Sequence, residues 1–355
     1  MSELLNRMKK ASPNKYTSQL SKSEVFMSDD FTRTSVPALN IALSGTCDGG
    51  MKSGILGICA ESRHFKTNQA LVIAAGFLKE HTEGILLFID SEFGAPKSYF
   101  ETYGIDVDRV LHCPVTNLEE MTFELMQQLD AIKRGDKVMI LIDSLGNIAS
   151  KTESNNSIEG KGSKDMTRAA SIKSMFRQIT PHIKLKNIPL VWIGHIYKEM
   201  TGTAYAKNIV SGGQGPMLAS NDLWIITRAQ EKDDDGDLAG YKFTINVEKS
   251  RFVREKSKIP LFVSFDSGIN KYSGILDLAI ELGYVSDATK GWYQLIDKST
   301  GELIGGKVRR KDTETKEFLG SIITSKEFNI EVREKFALTR PNLNNSTLEE
   351  DMEAV

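Results

Sequence analysis

Lys66 and Thr67 follow an apolar run, SGILGICA, and precede a helix-like stretch, QALVIAAGFLKEH. A lysine and a hydroxyl residue at a strand-to-helix turn can bind phosphate. Backbone N–H groups at the helix start cradle the anion, the lysine adds positive charge, and the hydroxyl holds Mg2+. The loop itself, Ala60, Glu61, Ser62, Arg63, His64, Phe65, Lys66 and Thr67, contains no glycine. A phosphate loop wants glycine where Ala60 and Phe65 stand, because φ is positive there or the backbone approaches the ligand closely. Taken alone, the stretch is also compatible with an ordinary turn bearing an exposed lysine.

Two carboxylates change the balance. Glu92 stands just past the apolar run GILLFID, and Asp143 ends the run KVMILID. Each alone could be a solvated side chain after a strand. The order strand–Lys-Thr–helix, strand–Glu, strand–Asp-Ser is harder to obtain by chance. It supplies a phosphate cradle, a base for an attacking water, and a carboxylate that orients Mg2+ through water.

The elements that would position these residues are short apolar runs. GILLFID, KVMILID and IPLVWIG join SGILGICA, with helix-like segments between them. Unbroken apolar strands alternating with helices predict a parallel sheet covered on both faces, with its ligand at the carboxyl ends of the strands. Residues 165–184 carry Ala169, Ile172, Met175, Phe176, Ile179 and Ile183 at helical spacing, and Pro181 is expected to kink or end that helix. A long polar stretch follows residue 194 and reads as a functional loop. DLWIITR and YKFTINVEKS read as strands joined by the acidic turn EKDDDGD. The expected division is an N-terminal arm (1–32), a core (33–270), a small mixed domain (271–340) and an acidic tail (341–355).

Composition narrows the class. Hydrophobic content of 40% with 26% charged residues fits a water-soluble globular chain of about two domains. A net charge of −2 argues against a bulk polyanion binder, so any nucleic-acid contact must use local basic segments. Cys47, Cys59 and Cys113 are too few and too scattered for a disulfide framework or a zinc cluster, and read as buried thiols. The first residues lack an apolar signal region and no run approaches 18 apolar residues, so a cytoplasmic setting without membrane contact is expected.

Longer strings carry a resemblance. LNIALSG, GGMKSGIL, FKT, FIDSEFG, GIDVDRVLHCPV, LDAIKRGDKVMILIDSLGNIASK, DMTRA, NIPLVWIGH, GGQGPM, REKSKIP, GINKYSGILDLAIELG and GWY are collinear over about residues 33–293. In these strings the chain resembles the RecA-type recombinases, most of all those of T-even-like phages. The resemblance implies an α/β fold: a RecA-like P-loop ATPase core with a mostly parallel sheet, a short N-terminal arm and a small C-terminal α+β domain. It implies a DNA-dependent ATPase using ATP and Mg2+, which forms helical filaments on single-stranded DNA and pairs it with homologous duplex DNA. Single-strand-binding and mediator proteins are implied as further partners. Ala60 departs from the family's glycine.

The resemblance also distributes roles. Lys66 would meet the β- and γ-phosphates, Thr67 would hold Mg2+, Asp143 would orient the ion, and Glu92 would act on the attacking water. Tyr99 would stack on adenine, the alternative being a core aromatic. His195 ends PLVWIGH and would sense the γ-phosphate, the alternative being a structural histidine. DNA contact is expected from a loop at about 151–168, with Lys161, Lys164 and Arg168. A second loop, at about 197–214, offers Tyr197, Lys198, Lys207, Gly212 and Gly213. Lys249 and Arg251, one residue apart in NVEKSRFV, would share one strand face. A salt bridge within the chain is one explanation; the resemblance implies that they reach the neighbouring subunit's ATP. Two other readings stay open, a RecA-like hexameric motor and a filament or accessory protein that has lost catalysis.

Overall fold

The computed structural model describes residues 3–23, 31–160, 167–198, 208–232, 236–265 and 268–338, without the side chains of residues 198, 208 and 232. Helix α1 (Glu3–Ala11) precedes a short antiparallel pair, β1 (Phe31–Thr32) and β2 (Met51–Lys52), bridged by helix α2 (Pro37–Ser44). The large sheet begins with β3 (Gly54–Ala60), β4 (Ile85–Asp90), β5 (Val110–Pro114), β6 (Val138–Asp143) and β7 (Pro189–Lys198). Strand β8 (Asn208–Val210) turns back on β7. Then come β9 (Asp222–Lys232), β10 (Leu238–Lys249), β11 (Lys258–Ser264) and β12 (Gly268–Ile269). The order across the sheet is β12-β11-β10-β9-β3-β7-β6-β4-β5. From β9 to β5 the neighbours are parallel, and β10, β11 and β12 continue it antiparallel.

Successive residues of a strand point to opposite faces, and here both faces are apolar. Leu56, Ile58, Met139, Leu141, Val191 and Ile193 belong to one buried cluster; Ile55, Cys59, Ile140, Ile142, Leu190 and Trp192 belong to the other. This is why the runs are unbroken rather than alternating. Helix α3 (Lys66–Glu80) covers the first face, with Leu71, Ile73 and Phe77 buried. Short α4 (Lys97–Thr102) follows β4. Helices α5 (Leu118–Ala131) and α7 (Arg168–Lys186) cover the second face through Met121, Leu125, Met175, Phe176 and Ile183. Between them lies α6 (Lys151–Ile158), and α8 (Gln214–Ala219) precedes β9. Gly57 sits where an added Cβ would come within 2.5 Å of the Trp192 ring, so a side chain is excluded at the centre of the sheet.

The C-terminal part is α9 (Ile275–Glu281), an antiparallel sheet of β13 (Val285–Thr289), β14 (Trp292–Ile296) and β15 (Leu303–Arg309), then α10 (Lys316–Thr324) and α11 (Lys326–Phe336). Its Leu276, Phe318, Leu319, Phe328 and Val332 join the same apolar cluster as α2, α3 and β11. The residues after about 273 thus pack against the apolar cluster of the large sheet. Arg310 adds a polar tie, its guanidinium meeting Glu231 of β9 at 3.2 Å and Asp277 of α9 at 3.7 Å.

Several expectations are corrected. Of the two outcomes expected at Pro181, a kink or an end, the end is excluded: helix α7 runs on to Lys186. Proline leaves the Arg177 carbonyl without its usual donor, but Phe176, Ile179 and Ile183 on either side are fully buried and hold the helix together. The segment 151–168 starts as helix over Lys151–Ile158: Ser150 caps α6 by accepting the Glu153 N–H at 3.1 Å, which the segment's polar composition concealed. The polar stretch after residue 194 begins as strand, because β7 continues through His195 to Lys198 and pairs with β8. Strand β10 ends at Lys249, so Arg251 lies past it. All three cysteines are free and buried, and burial pushes the Cys47 and Cys59 thiols up to about 12. Among the described residues no helix is long and apolar enough to cross a membrane.

Candidate nucleotide-binding site

The parallel ladder brings the candidate residues to one edge. Asp90 pairs with Asp143 across β4 and β6, and Ala60 pairs with His195 across β3 and β7. Loop 61–65 then crosses to the start of α3 at Lys66. Ala60 is extended strand and wholly buried, so alanine costs nothing there. Phe65 is left-handed with φ 56°, and so is Arg63 with φ 60°. Each such non-glycine residue costs roughly 1–2 kcal/mol. The Phe65 ring offsets part of that by packing on Phe243, with centroids 5.4 Å apart. Phe65 is the helix N-cap and offers no side-chain cap, which leaves the first-turn amides of α3 free to meet an anion.

Inside the loop, Lys66 Nζ donates to the Glu61 carbonyl at 2.8 Å, and the His64 ring nitrogen Nδ1 lies 2.9 Å from the Ser62 carbonyl. Lys66 is buried, which lowers its pKa, while Glu92 and Asp143 pull the other way. Thr67 Oγ1 donates to Asp143 Oδ2 at 2.7 Å. Asp143 Oδ1 is buried with no partner. Burial pushes the Asp143 carboxyl up to about 6; the Thr67 hydrogen bond opposes this, and Glu92 and Asp90 add to it. A threonine hydroxyl and an orphaned carboxylate oxygen fit Mg2+, which takes one or two protein oxygens and fills its shell with phosphate and water. Among the described residues no group of three or more His, Cys, Asp or Glu forms a metal cage.

Glu92 is placed by an aspartate turn. Asp90 Oδ1 accepts the N–H of Glu92 at 3.1 Å and of Phe93 at 2.8 Å. Glu92 Oε1 accepts from His195 Nε2 at 2.8 Å, from Ser144 Oγ, and from Asn147 Nδ2 at 3.4 Å. The His195 hydrogen bond lowers its pKa most, burial resists, and Ser144 and the Lys66 charge assist, so Glu92 is held ionised. Ser91 Oγ donates to the Ser144 carbonyl at 2.7 Å and accepts the Ser144 N–H at 3.1 Å, locking the ends of β4 and β6 together. Sequence reasoning assigned no site role to Asp90, Ser91, Ser144 and Asn147. Only their presence in the strings FIDSEFG and IDSLGN could have drawn attention to them.

Tyr99 is 43% exposed, so it is not a core aromatic. It lies on α4, next to Tyr103, whose hydroxyl accepts from Asn68 Nδ2 at 2.9 Å. The helix that follows loop 61–65 is thereby tied to the C-terminal end of the helix that carries Tyr99. His195 also meets the second loop: its N–H donates to Ser211 Oγ at 3.1 Å and its carbonyl accepts the Ser211 N–H at 2.8 Å.

The remaining candidates lie elsewhere. Lys249 Nζ donates to the Met217 and Leu218 carbonyls, both at 3.1 Å, at the C-terminal end of α8. Burial lowers its pKa, and neighbouring Arg251 adds to that. Ser250 ends the strand: its hydroxyl donates to Asp222 at 2.6 Å and accepts the N–H groups of Phe252 and Val253. Arg251 is exposed beyond that turn. Lys249 pairs with Leu223, which is level with Gly57 of β3. That is about 10 Å short of Ala60 along the strand, so the pair stands away from its own phosphate loop. Arg168 turns inward, donating to the Ile148, Leu145 and Gly146 carbonyls at 2.6, 2.9 and 3.0 Å. It braces the segment after Asp143. Tyr197 is 55% exposed, and Gly212 and Gly213 take the positive φ values (92° and 76°) that turn the chain into α8. Lys161, Lys164, Lys207 and the tail 341–355 lie outside the described residues, as does the Lys198 side chain.

A parallel α/β sheet with a lysine–threonine phosphate loop, a carboxylate beside the threonine and an ionised glutamate one strand away defines a nucleotide-binding protein of the P-loop class. The chain belongs to the RecA family: the RecA N-terminal domain model matches residues 2–270. The C-terminal domain of the bacteriophage T4 recombination and repair protein matches residues 272–332. The chain is 43% identical to the recombination and repair protein of enterobacteria phage T4 over 342 residues, 95% of this chain and 87% of the relative. It is 26% identical to protein RecA of Aquifex pyrophilus, over 88% of this chain and 86% of that one, and to protein RecA of Acholeplasma laidlawii (strain PG-8A), over 77% and 81%.

Proposed function

We propose that this chain is an ATP-dependent DNA recombinase that forms a helical filament on single-stranded DNA, pairs it with homologous duplex and exchanges strands. The observation that carries the reading is the convergence of Lys66, Thr67, Glu92, Asp143 and His195 at one sheet edge, in a member of the RecA family. The recombination and repair role is that of the T4 relative, and the sequence extends alongside it for nearly its whole length.

Mg2+ would supply charge neutralisation at the phosphates. Thr67 and Asp143 would hold it, Asp143 having one oxygen to spare. Lys66 exchanges the Glu61 carbonyl for phosphate oxygens. Glu92, kept ionised by His195 and Ser144, accepts the proton of the attacking water and so acts as base. His195 shares hydrogen bonds with Glu92 and Ser211, which links the base to the β7–β8 loop. Tyr99 stacks on the adenine. Lys249 and Arg251 serve the ATP of the adjoining subunit. Lys161, Lys164, Tyr197, Lys198 and Lys207, with the Gly212–Gly213 turn, form the DNA face. Sparse cations on one subunit sum along a filament, which reconciles a net charge of −2 with polyanion binding. Residues 1–32 serve as assembly arm, 33–270 as ATPase core, 271–340 as C-terminal domain and 341–355 as acidic tail. Single-strand-binding and mediator proteins are the further partners, and the setting is the cytoplasm, that of the host if the chain is phage-encoded.

ATPase activity with and without single-stranded DNA, read beside electron microscopy with a non-hydrolysable ATP analogue, tests this. The expected result is DNA-stimulated hydrolysis, helical filaments, and loss of hydrolysis in Lys66→Ala. Rings on DNA would favour a motor, and filaments without hydrolysis would favour an accessory protein.

A further inference from the structure

The glycine-free loop keeps its shape with help from outside itself. Arg63 and Phe65 both have left-handed backbones, which side chains other than glycine hold only when the surroundings impose them. The Arg63 carbonyl accepts a hydrogen bond from Arg228 Nη1, on β9, at 3.1 Å. The Arg228 guanidinium lies over the Tyr241 ring, 4.5 Å from its centroid. In the β9–β10 ladder Arg228 stands directly opposite Phe243, and Tyr241 is two residues from Phe243 on the same face. Phe243 in turn receives the Phe65 ring at 5.4 Å and the His64 ring edge-on at 6.2 Å. Arg228, Tyr241 and Phe243 thus form a shelf from the antiparallel part of the sheet, on which loop residues 63–65 rest.

We propose that this shelf stands in for the glycine missing at position 65 and holds Arg63 in the same left-handed form, and that Arg228 and Phe243 are positioning residues for the nucleotide. A trans peptide is planar, with its carbonyl and N–H pointing in opposite directions. Holding the Arg63 carbonyl toward Arg228 therefore fixes the His64 N–H away from it. Without that anchor the 63–64 peptide can rotate, and the ring of Phe65 alone must keep residue 65 left-handed. The inference rests on Lys66 and Thr67 being the phosphate site. Arg228 is exposed and Phe243 is wholly buried, so Arg228 is the safer residue to change.

The experiment is a titration of the full chain with a fluorescent ATP analogue and Mg2+, beside steady-state hydrolysis with single-stranded DNA and a thermal melt. Arg228→Ala should raise nucleotide Kd and KM about five-fold, the worth of one net hydrogen bond, with kcat and the melting temperature unchanged. Arg228→Lys should recover part of the affinity, because its ammonium can donate to the same carbonyl. In an Arg63→Gly background, where glycine accepts the left-handed backbone unaided, Arg228→Ala should cost less than two-fold by the same reckoning. Parental affinity in Arg228→Ala overturns the proposal. An undiminished loss in the Arg63→Gly background also overturns it, since Arg228 would then be touching the nucleotide itself. Failure of the unaltered chain to bind the analogue would instead remove the phosphate-site reading beneath it.

Discussion

Asp143 is the residue on which the site's pH behaviour turns. Burial is the main force holding its carboxyl at about 6, whereas an unfolded aspartate titrates near 4. The folded chain therefore holds the proton more tightly than the unfolded one. The stabilising contribution is complete below about pH 4 and is lost as pH rises through about 6. At neutral pH the buried carboxylate costs the nucleotide-free protein roughly 2–3 kcal/mol, which a cation beside Oδ1 would offset. Asp143→Asn should accordingly melt higher than the parent at pH 7.5 without nucleotide, yet gain less from added Mg2+ and ATP. Melting curves from pH 5 to 8 check both, and a lower melt without nucleotide would show that the charge is already compensated. Glu92 differs, since its three donors keep it ionised. Glu92→Gln should bind ATP normally and hydrolyse it about 10²–10⁴ times more slowly, and equal losses of binding and turnover would assign Glu92 a structural role. Lys66, Thr67, Glu92 and Asp143 could be picked out in the sequence because each stands at the end of a strand-like run or within a short loop of one. The link between Arg63 and Arg228 could not: a left-handed backbone at arginine has no composition signature, and a separation of 165 in sequence conceals their hydrogen bond.

At the scale of elements, legibility followed burial. The runs that became β3, β4, β6 and β7 were readable because both faces of the sheet are covered, so every position is apolar. Strand β5 escaped notice because it is the sheet's edge and only Cys113 in it is buried. Strand β11 escaped because it alternates and contains Pro260. Helix α7 shows packing overriding a local breaker. Pro181 is exposed, while its neighbours Ile179 and Ile183 are fully buried. Removing the ring should restore a donor to the Arg177 carbonyl and relieve the clash. Pro181→Ala is therefore expected to stabilise the fold by about 1–3 kcal/mol, read as a higher melting temperature with unchanged ATPase activity. A lower melting temperature would mean that α7 depends on a bend there.

At the scale of the whole molecule, the position of Lys249 and Arg251 decides whether one subunit is a complete enzyme. The ladder sets them about 10 Å short of the phosphate-loop end of the sheet, and Lys249 is engaged with the carbonyls that close α8. Neither can serve its own Lys66–Thr67 site. A cation contributed across an interface would stabilise charge developing on the transferred phosphoryl group and would leave an isolated subunit able to bind ATP without hydrolysing it. Hydrolysis should then rise more than linearly with protein concentration in the range where filaments form. Arg251→Ala is the cleaner probe, because Arg251 is exposed whereas Lys249→Ala also releases α8. Arg251→Ala should lose hydrolysis and keep nucleotide binding. Mixed with Lys66→Ala, it should recover some activity, since an Arg251→Ala subunit retains a sound phosphate loop and its Lys66→Ala neighbour a sound cation pair. Light scattering or microscopy must show that the two variants co-assemble. Co-assembled mixtures that remain inactive would place Arg251 in assembly alone and return the catalytic charge to the subunit's own residues.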